Sequence, residues 1–144
     1  MIPARPTFYA GCQFRSALEA RWAIFFQTQG ITWNYEPSTF RLASGTYIPD
    51  FHLRWHTGAE LWAEVKPGLW DVTEYDRVRH LDFASEGRTL LLLDGVPEPR
   101  AYDAVGAGYS VVLHSWGPET EWSDHPSLQQ ACRKAATTRF KRKK

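Results

Sequence analysis

The chain has 144 residues, 43% of them hydrophobic and 15% aromatic, a size and composition that suit one compact domain over 1–144. No apolar run approaches the roughly 18 residues of a membrane helix, and the opening MIPARPTFYAG lacks the apolar stretch of a signal peptide. With two cysteines, Cys12 and Cys132, at no zinc-type spacing, the expectation is a cytoplasmic protein with no membrane partner, disulfide framework or zinc.

The first 13 residues read as an extended, Pro-containing arm. From Ser16 to about Gln29 the apolar residues Leu18, Trp22, Phe25 and Phe26 recur at helical spacing, and Gly30 stops the helix. Strand-like runs follow at Thr32–Glu36, Tyr47–Leu53 and Leu61–Lys66, the last ended by Pro67-Gly68. A second helix is predicted over Val72–Ala84, where Val72, Tyr75, Val78 and Leu81 share a spacing. Thr89–Asp94 is an uninterrupted apolar run of the buried-strand kind, Gly106-Ala-Gly108 is a turn, and Tyr109–Leu113 is one further strand. A basic helix from Pro126 or Ser127 to Phe140 closes the order. The fold class is α/β in the wide sense, an α+β mixed sheet with helices on both faces.

The formal charge of +1 conceals an asymmetry. Arg133, Lys134, Arg139, Lys141, Arg142, Lys143 and Lys144 lie in the last twelve positions with no acid among them, leaving ten basic residues against 16 acids in the body. A basic tail (133–144) on an acidic body is either an anchor for nucleic-acid phosphates or a solvated terminus.

The residues that carry chemistry lie on the second and third strands. Ile48-Pro49-Asp50-Phe51-His52-Leu53 and Leu61-Trp62-Ala63-Glu64-Val65-Lys66 both alternate, so Glu64 and Lys66 share a face while Leu61, Ala63 and Val65 turn to the core. A hairpin through Arg54 to Glu60 would set Asp50 beside Glu64. Two carboxylates suffice for magnesium, which takes few protein ligands and keeps several waters, and Lys66 would stand beside the attacking water or a phosphate oxygen. Each residue also has a plainer reading: Asp50 as a turn aspartate after proline, and Glu64 with Lys66 as a solvated ion pair. His52 shares the face of Asp50 and is read as a satisfied polar histidine. Because the Lys66 ammonium should lower a neighbouring carboxyl pKa, a glycosidase-type general acid is disfavoured. Glu19 is a third candidate, although Ser16-Ala-Leu-Glu19 also fits a capping box.

Together, Glu19 on the first helix, Pro49-Asp50, and Glu64-Val65-Lys66 resemble the PD-(D/E)XK nuclease superfamily. The segments Phe14–Ala23, Tyr35-Glu-Pro37 and Tyr47–Phe51, with the closing Arg133–Phe140, look like its small members from actinobacterial phages and their hosts. The resemblance implies a restriction-endonuclease-like αβββαβ core, here with an added strand and a C-terminal basic helix. It also implies Glu19, Asp50, Glu64 and Lys66 as catalytic residues, with Asp50, Glu64 and Glu19 on the metal. Magnesium is the implied cofactor, with manganese as a substitute, in a bacterial or phage-infected cell. On the second helix many members place a phosphate-binding lysine or glutamine, and Glu74, Tyr75, Arg77 and Arg79 are available for that role.

The expected function is a magnesium-dependent DNA endonuclease, structure-selective or weakly sequence-specific because no zinc finger or helix-turn-helix is present to read sequence. A homodimer would let it cut both strands. The alternatives are a catalytically idle nucleic-acid-binding or phage structural protein on the same fold, and a nuclease acting on RNA.

Overall fold

In the computed structural model, residues 5–140 are described. They form β1 (Thr7–Tyr9), β2 (Cys12–Phe14), α1 (Ala17–Thr28), β3 (Thr32–Tyr35), β4 (Phe40–Leu42), β5 (Gly45–Tyr47), β6 (Phe51–Arg54), β7 (Glu60–Lys66), α2 (Glu74–Ser85), β8 (Leu90–Asp94), β9 (Tyr102–Asp103), β10 (Ser110–His114), β11 (Gly117–Glu119) and α3 (Pro126–Thr137). A single 3-10 turn, Leu69–Asp71, precedes α2. No helix among the described residues is long and apolar enough to cross a membrane.

The main sheet has the order β3-β6-β7-β8. β3, β6 and β7 are antiparallel, whereas β8 returns parallel to β7 after α2, giving the mixed sheet expected from sequence. β8 is not left as a bare edge. A bridge from Leu91 to Ala104 and a 2.8 Å bond from the Val105 N–H to the Leu90 carbonyl join it to the small sheet β9-β10-β11. The additions after β8 are therefore three strands rather than the single one foreseen.

Alternation along β7 sorts its residues as expected. Leu61, Ala63 and Val65 join Phe51, Leu53, Leu91 and Leu93 in the main core under α1 and α3, while Trp62 packs on the other face with Tyr47, Phe83 and Leu90 under α2. α1 is buried along most of its circumference, from Ala20 through Phe26, because α3 lies over the side that the sheet leaves open. Arg21 donates to the carbonyls of Ala135, Ala136 and Thr138 at the end of α3, and Gln29 at the end of α1 reaches Ser127 O at its start, so the two helices run antiparallel.

Four expectations need correction. The arm at 1–13 is, over its described part, a β1–β2 hairpin turned through Ala10 and Gly11, whose φ values of 52° and 77° suit a tight primed turn. The run Tyr47–Leu53 is not one strand. β5 pairs back onto β4, and the break at Ile48-Pro49-Asp50 falls where proline has no N–H to give a ladder. On α2 the residues Tyr75, Val78 and Leu81 are exposed, and His80 and Phe83 form the buried contact instead, because the β4–β5 hairpin supplies Phe40 and Tyr47 to the same layer. α3 ends at Thr137, short of Phe140.

Candidate active site

The register Phe51↔Ala63 places Asp50, one residue before β6, across from Glu64, and the hairpin turns through the Arg54↔Glu60 pair as anticipated. Asp50 Oδ2 accepts a 2.8 Å hydrogen bond from the Val65 N–H, which ties its carboxylate to β7. Glu64 Oε1 accepts from the Tyr47 hydroxyl at 2.9 Å. Lys66 Nζ lies 3.8 Å from Glu64 Oε2 and 3.4 Å from Asp76 Oδ2. The backbone there is pinned as well: the Gly95 N–H donates to Lys66 O at 2.7 Å, and the Trp22 indole N–H donates to Gly95 O at 2.9 Å.

Glu19 reaches the site from α1, and its alternative reading is half realised. Its backbone N–H donates to the Ser16 hydroxyl, which is the forward half of a capping box. The carboxylate meets side chains: Oε1 accepts from Ser16 Oγ and Oε2 from the Tyr35 hydroxyl, both at 2.9 Å. The full reciprocal box occurs instead on α2, between Thr73 and Asp76. The charges of both Glu64 and Glu19 bear on Asp50.

Burial dominates the electrostatics. It pushes Asp50 well above the ordinary carboxylate range, with the charges of Glu64 and Glu19 adding to the effect and the Val65 N–H opposing it. Glu64 is pushed up to about 7 by burial, against the Tyr47 hydroxyl and the Lys66 charge. The expectation that Lys66 would hold its neighbouring carboxyl low is overturned, because desolvation outweighs an ammonium 3.8 Å away. Glu19 is raised by burial too, offset in part by Ser16 and Tyr35. Asp76 behaves oppositely: burial pushes it upward, but the Thr73 amide and Lys66 outweigh that and hold it below its usual value.

Buried carboxylates, with Glu64 and Glu19 together raising Asp50, that face a single ammonium form a site short of positive charge. A hard divalent cation with oxygen ligands matches that donor set, and Asp50 and Glu64 each hold one oxygen on a protein donor with a second to offer. The side chains are not closed on a common point; among the described residues no group of three or more His, Cys, Asp or Glu forms a metal-holding cluster.

His52 is directed elsewhere, its ring tilted against that of Trp62 with centroids 4.6 Å apart and its Nε2 3.7 Å from Glu60. Of the α2 candidates, Arg79 contacts Asp76, the partner of Lys66. It donates to Thr46 O at 2.8 Å, lies 3.8 Å from Asp76 and stacks on the Tyr75 ring at 4.0 Å, and its Nε is buried without a partner. Arg133, Lys134 and Arg139 are exposed on and just beyond α3, at the end that Arg21 ties to the first half of α1. Lys141, Arg142, Lys143 and Lys144 lie outside the described residues.

Three residues of the site were missed in the sequence: Tyr35, Tyr47 and Asp76. Asp76 could have been found, since Thr73-Glu-Tyr-Asp76 is a capping pattern that fixes its direction at the helix start. The tyrosines carry no such local signal. No protein-family model, curated protein or solved structure matches the chain.

Proposed function

We propose that the protein is a magnesium-dependent DNA endonuclease with a PD-(D/E)XK-type site on a restriction-endonuclease-like core. The observation that carries this reading is the facing of Asp50 and Glu64 across the β6–β7 pair, with Lys66 two residues on and on the same side of the sheet. Support comes also from the surplus of buried negative charge, which a divalent ion would offset, and from the sequence pattern of Glu19, Asp50, Glu64 and Lys66.

In this reading Asp50 and Glu64 hold magnesium, with Glu19 adjacent. The bound ion supplies charge stabilisation at the phosphorus and an activated water. The Val65 N–H and the Tyr47 hydroxyl fix the two carboxylates in place, as supporting groups do at metal sites. Lys66, aimed by Asp76, donates a hydrogen bond to the attacking water or to a non-bridging phosphate oxygen. The basic tail draws the DNA backbone toward an otherwise acidic body. One site cuts one strand, so a double-strand break takes two copies of the chain or two encounters.

The test is cleavage of duplex, single-stranded, flap and four-way-junction DNA with and without magnesium. Magnesium-dependent product that disappears in both Asp50→Asn and Lys66→Ala is the expected result. Binding without cleavage across the whole panel would replace this reading with that of a nucleic-acid-binding protein on the same fold.

A further inference from the structure

Between Lys66 and α2 the chain makes a short excursion, Pro67-Gly68-Leu69-Trp70-Asp71, whose 3-10 turn places Trp70 with 85% of its surface in solvent. A lone exposed apolar residue is ordinary on a protein surface. Two features set this one apart. The first is its backing: a Cβ on Gly68 would lie 2.5 Å from indole Cη2 and Cζ2, so the six-membered ring rests against a backbone that only glycine leaves clear. Gly68 has φ −164°, extended backbone open to any residue, so room for the ring is what favours glycine there.

The second is a parallel arrangement at the start of α2. Tyr75 is also exposed, and the Arg79 guanidinium is stacked 4.0 Å from its ring. Two aromatic side chains therefore border the same short loop, each backed by protein and largely open to solvent. Four residues of chain separate Trp70 from Lys66, so their Cα atoms lie at most ~14 Å apart, which puts the indole within reach of nucleotides flanking a phosphate held at Lys66. Asp71 beside it repels phosphates, which favours the flat apolar face of a base over the backbone as the group that meets the indole. A base within continuous duplex already has a neighbour on each face and has none to offer.

We propose that Trp70, seconded by Tyr75, is a base-stacking platform, and that the substrate is DNA with unpaired nucleotides beside the scissile phosphate rather than uninterrupted duplex. The proposal rests on the nuclease reading for the position of the phosphate, and it specifies the substrate class of that same site. Stacking on an aromatic side chain tolerates any base, so selection is for DNA structure and not for sequence.

The experiment measures binding and cleavage separately in the full-length protein. In magnesium-free buffer, the probes are a flap carrying 2-aminopurine at the first unpaired position and a duplex of the same sequence. The variants are Trp70→Ala, Trp70→Leu and Gly68→Ala, the last keeping the indole while pushing it from its seat. We expect the wild type to bind the flap more tightly than the duplex and to quench the 2-aminopurine. Trp70→Ala and Trp70→Leu should each weaken flap binding by about fivefold or more, leave duplex binding within twofold and abolish the quenching, with Gly68→Ala reducing it. Equal losses on flap and duplex, or full binding by Trp70→Leu, would overturn the platform. With magnesium added, absence of cleavage from every substrate defeats the nuclease reading while the quenching result still judges the platform; cleavage with an unchanged preference for flap over duplex in Trp70→Ala defeats the platform alone.

Discussion

The Tyr47 hydroxyl donates a 2.9 Å hydrogen bond to Glu64 Oε1 from a strand outside the main sheet, so the β4–β5 hairpin and β7 meet through a buried carboxylate. That carboxylate titrates near 7 when folded, above its ordinary 4.5. A raised acid binds its proton more tightly in the folded state. The stability it contributes is complete below 4.5 and is lost as pH climbs through about 7. Glu64→Gln, measured by urea unfolding without metal, should therefore be more stable than the parent at pH 8, by about 2–3 kcal/mol, with the advantage shrinking as pH falls from about 7 and gone below 4.5.

The same charge surplus predicts a response to metal. At pH 8 magnesium should raise the thermal midpoint of the parent protein, because binding to the folded state alone stabilises it by mass action. Asp50→Asn should lose most of that rise while unfolding at or above the parent's metal-free midpoint. An undiminished magnesium response in Asp50→Asn would remove Asp50 from the ligand set.

Asp76 holds two partners on one oxygen, the Thr73 N–H at 3.2 Å and Lys66 Nζ at 3.4 Å. In the proposed nuclease reading it positions Lys66, and that role has a signature beyond stability. Asp76→Ala should cost about 1 kcal/mol through the lost cap, and it should lower cleavage roughly tenfold. Combined with Lys66→Ala, its effect on rate should vanish while its effect on stability persists, a coupling that a double-mutant cycle reads directly.

His80 is buried and pushed down to about 4, mainly by desolvation. A depressed histidine contributes stability that is complete above its ordinary 6.5 and is lost as pH falls through about 4. The acid limb of the stability curve between these values should flatten in His80→Gln, whose shallower slope of unfolding free energy against pH is the measurement. This limb runs opposite to that of Glu64, and the metal-free protein should resist urea best between the two.

Removing residues 141–144 deletes four cations. If they contact DNA phosphates, the log–log salt slope of duplex binding should fall by up to about 4 with the thermal midpoint unchanged. An unaltered slope would make the tail a bystander.

What the sequence revealed depended on the range of the interaction. Leu61, Ala63, Val65, Glu64 and Lys66 sort correctly because strand alternation is local, and Asp50 meets Glu64 because one hairpin register settles the pair. The partners of the carboxylates were hidden, since Tyr35 reaches Glu19 and Tyr47 reaches Glu64 across 16 and 17 residues of chain. The α2 stripe misled for a related reason. Helical spacing marks which residues share a face, but the β4–β5 hairpin decided which face was covered. The upward shift of Glu64 was equally invisible, because neighbours in sequence disclose charge and not burial.

The ties from Arg21 to the end of α3 join residues 114 to 117 positions apart. α1, which carries Glu19 together with Trp22, Phe25 and Phe26, is made early in synthesis and receives its outer cover only from a helix made more than a hundred residues later. A ribosome-bound chain thus holds its most aromatic helix half-dressed until α3 emerges, and contacts this distant slow folding by their loop-closure cost. The candidate site spans both regimes: Asp50 and Glu64 face each other within one hairpin, whereas Glu19, tied locally to Ser16 and Tyr35, rides on the helix whose outer cover is made last.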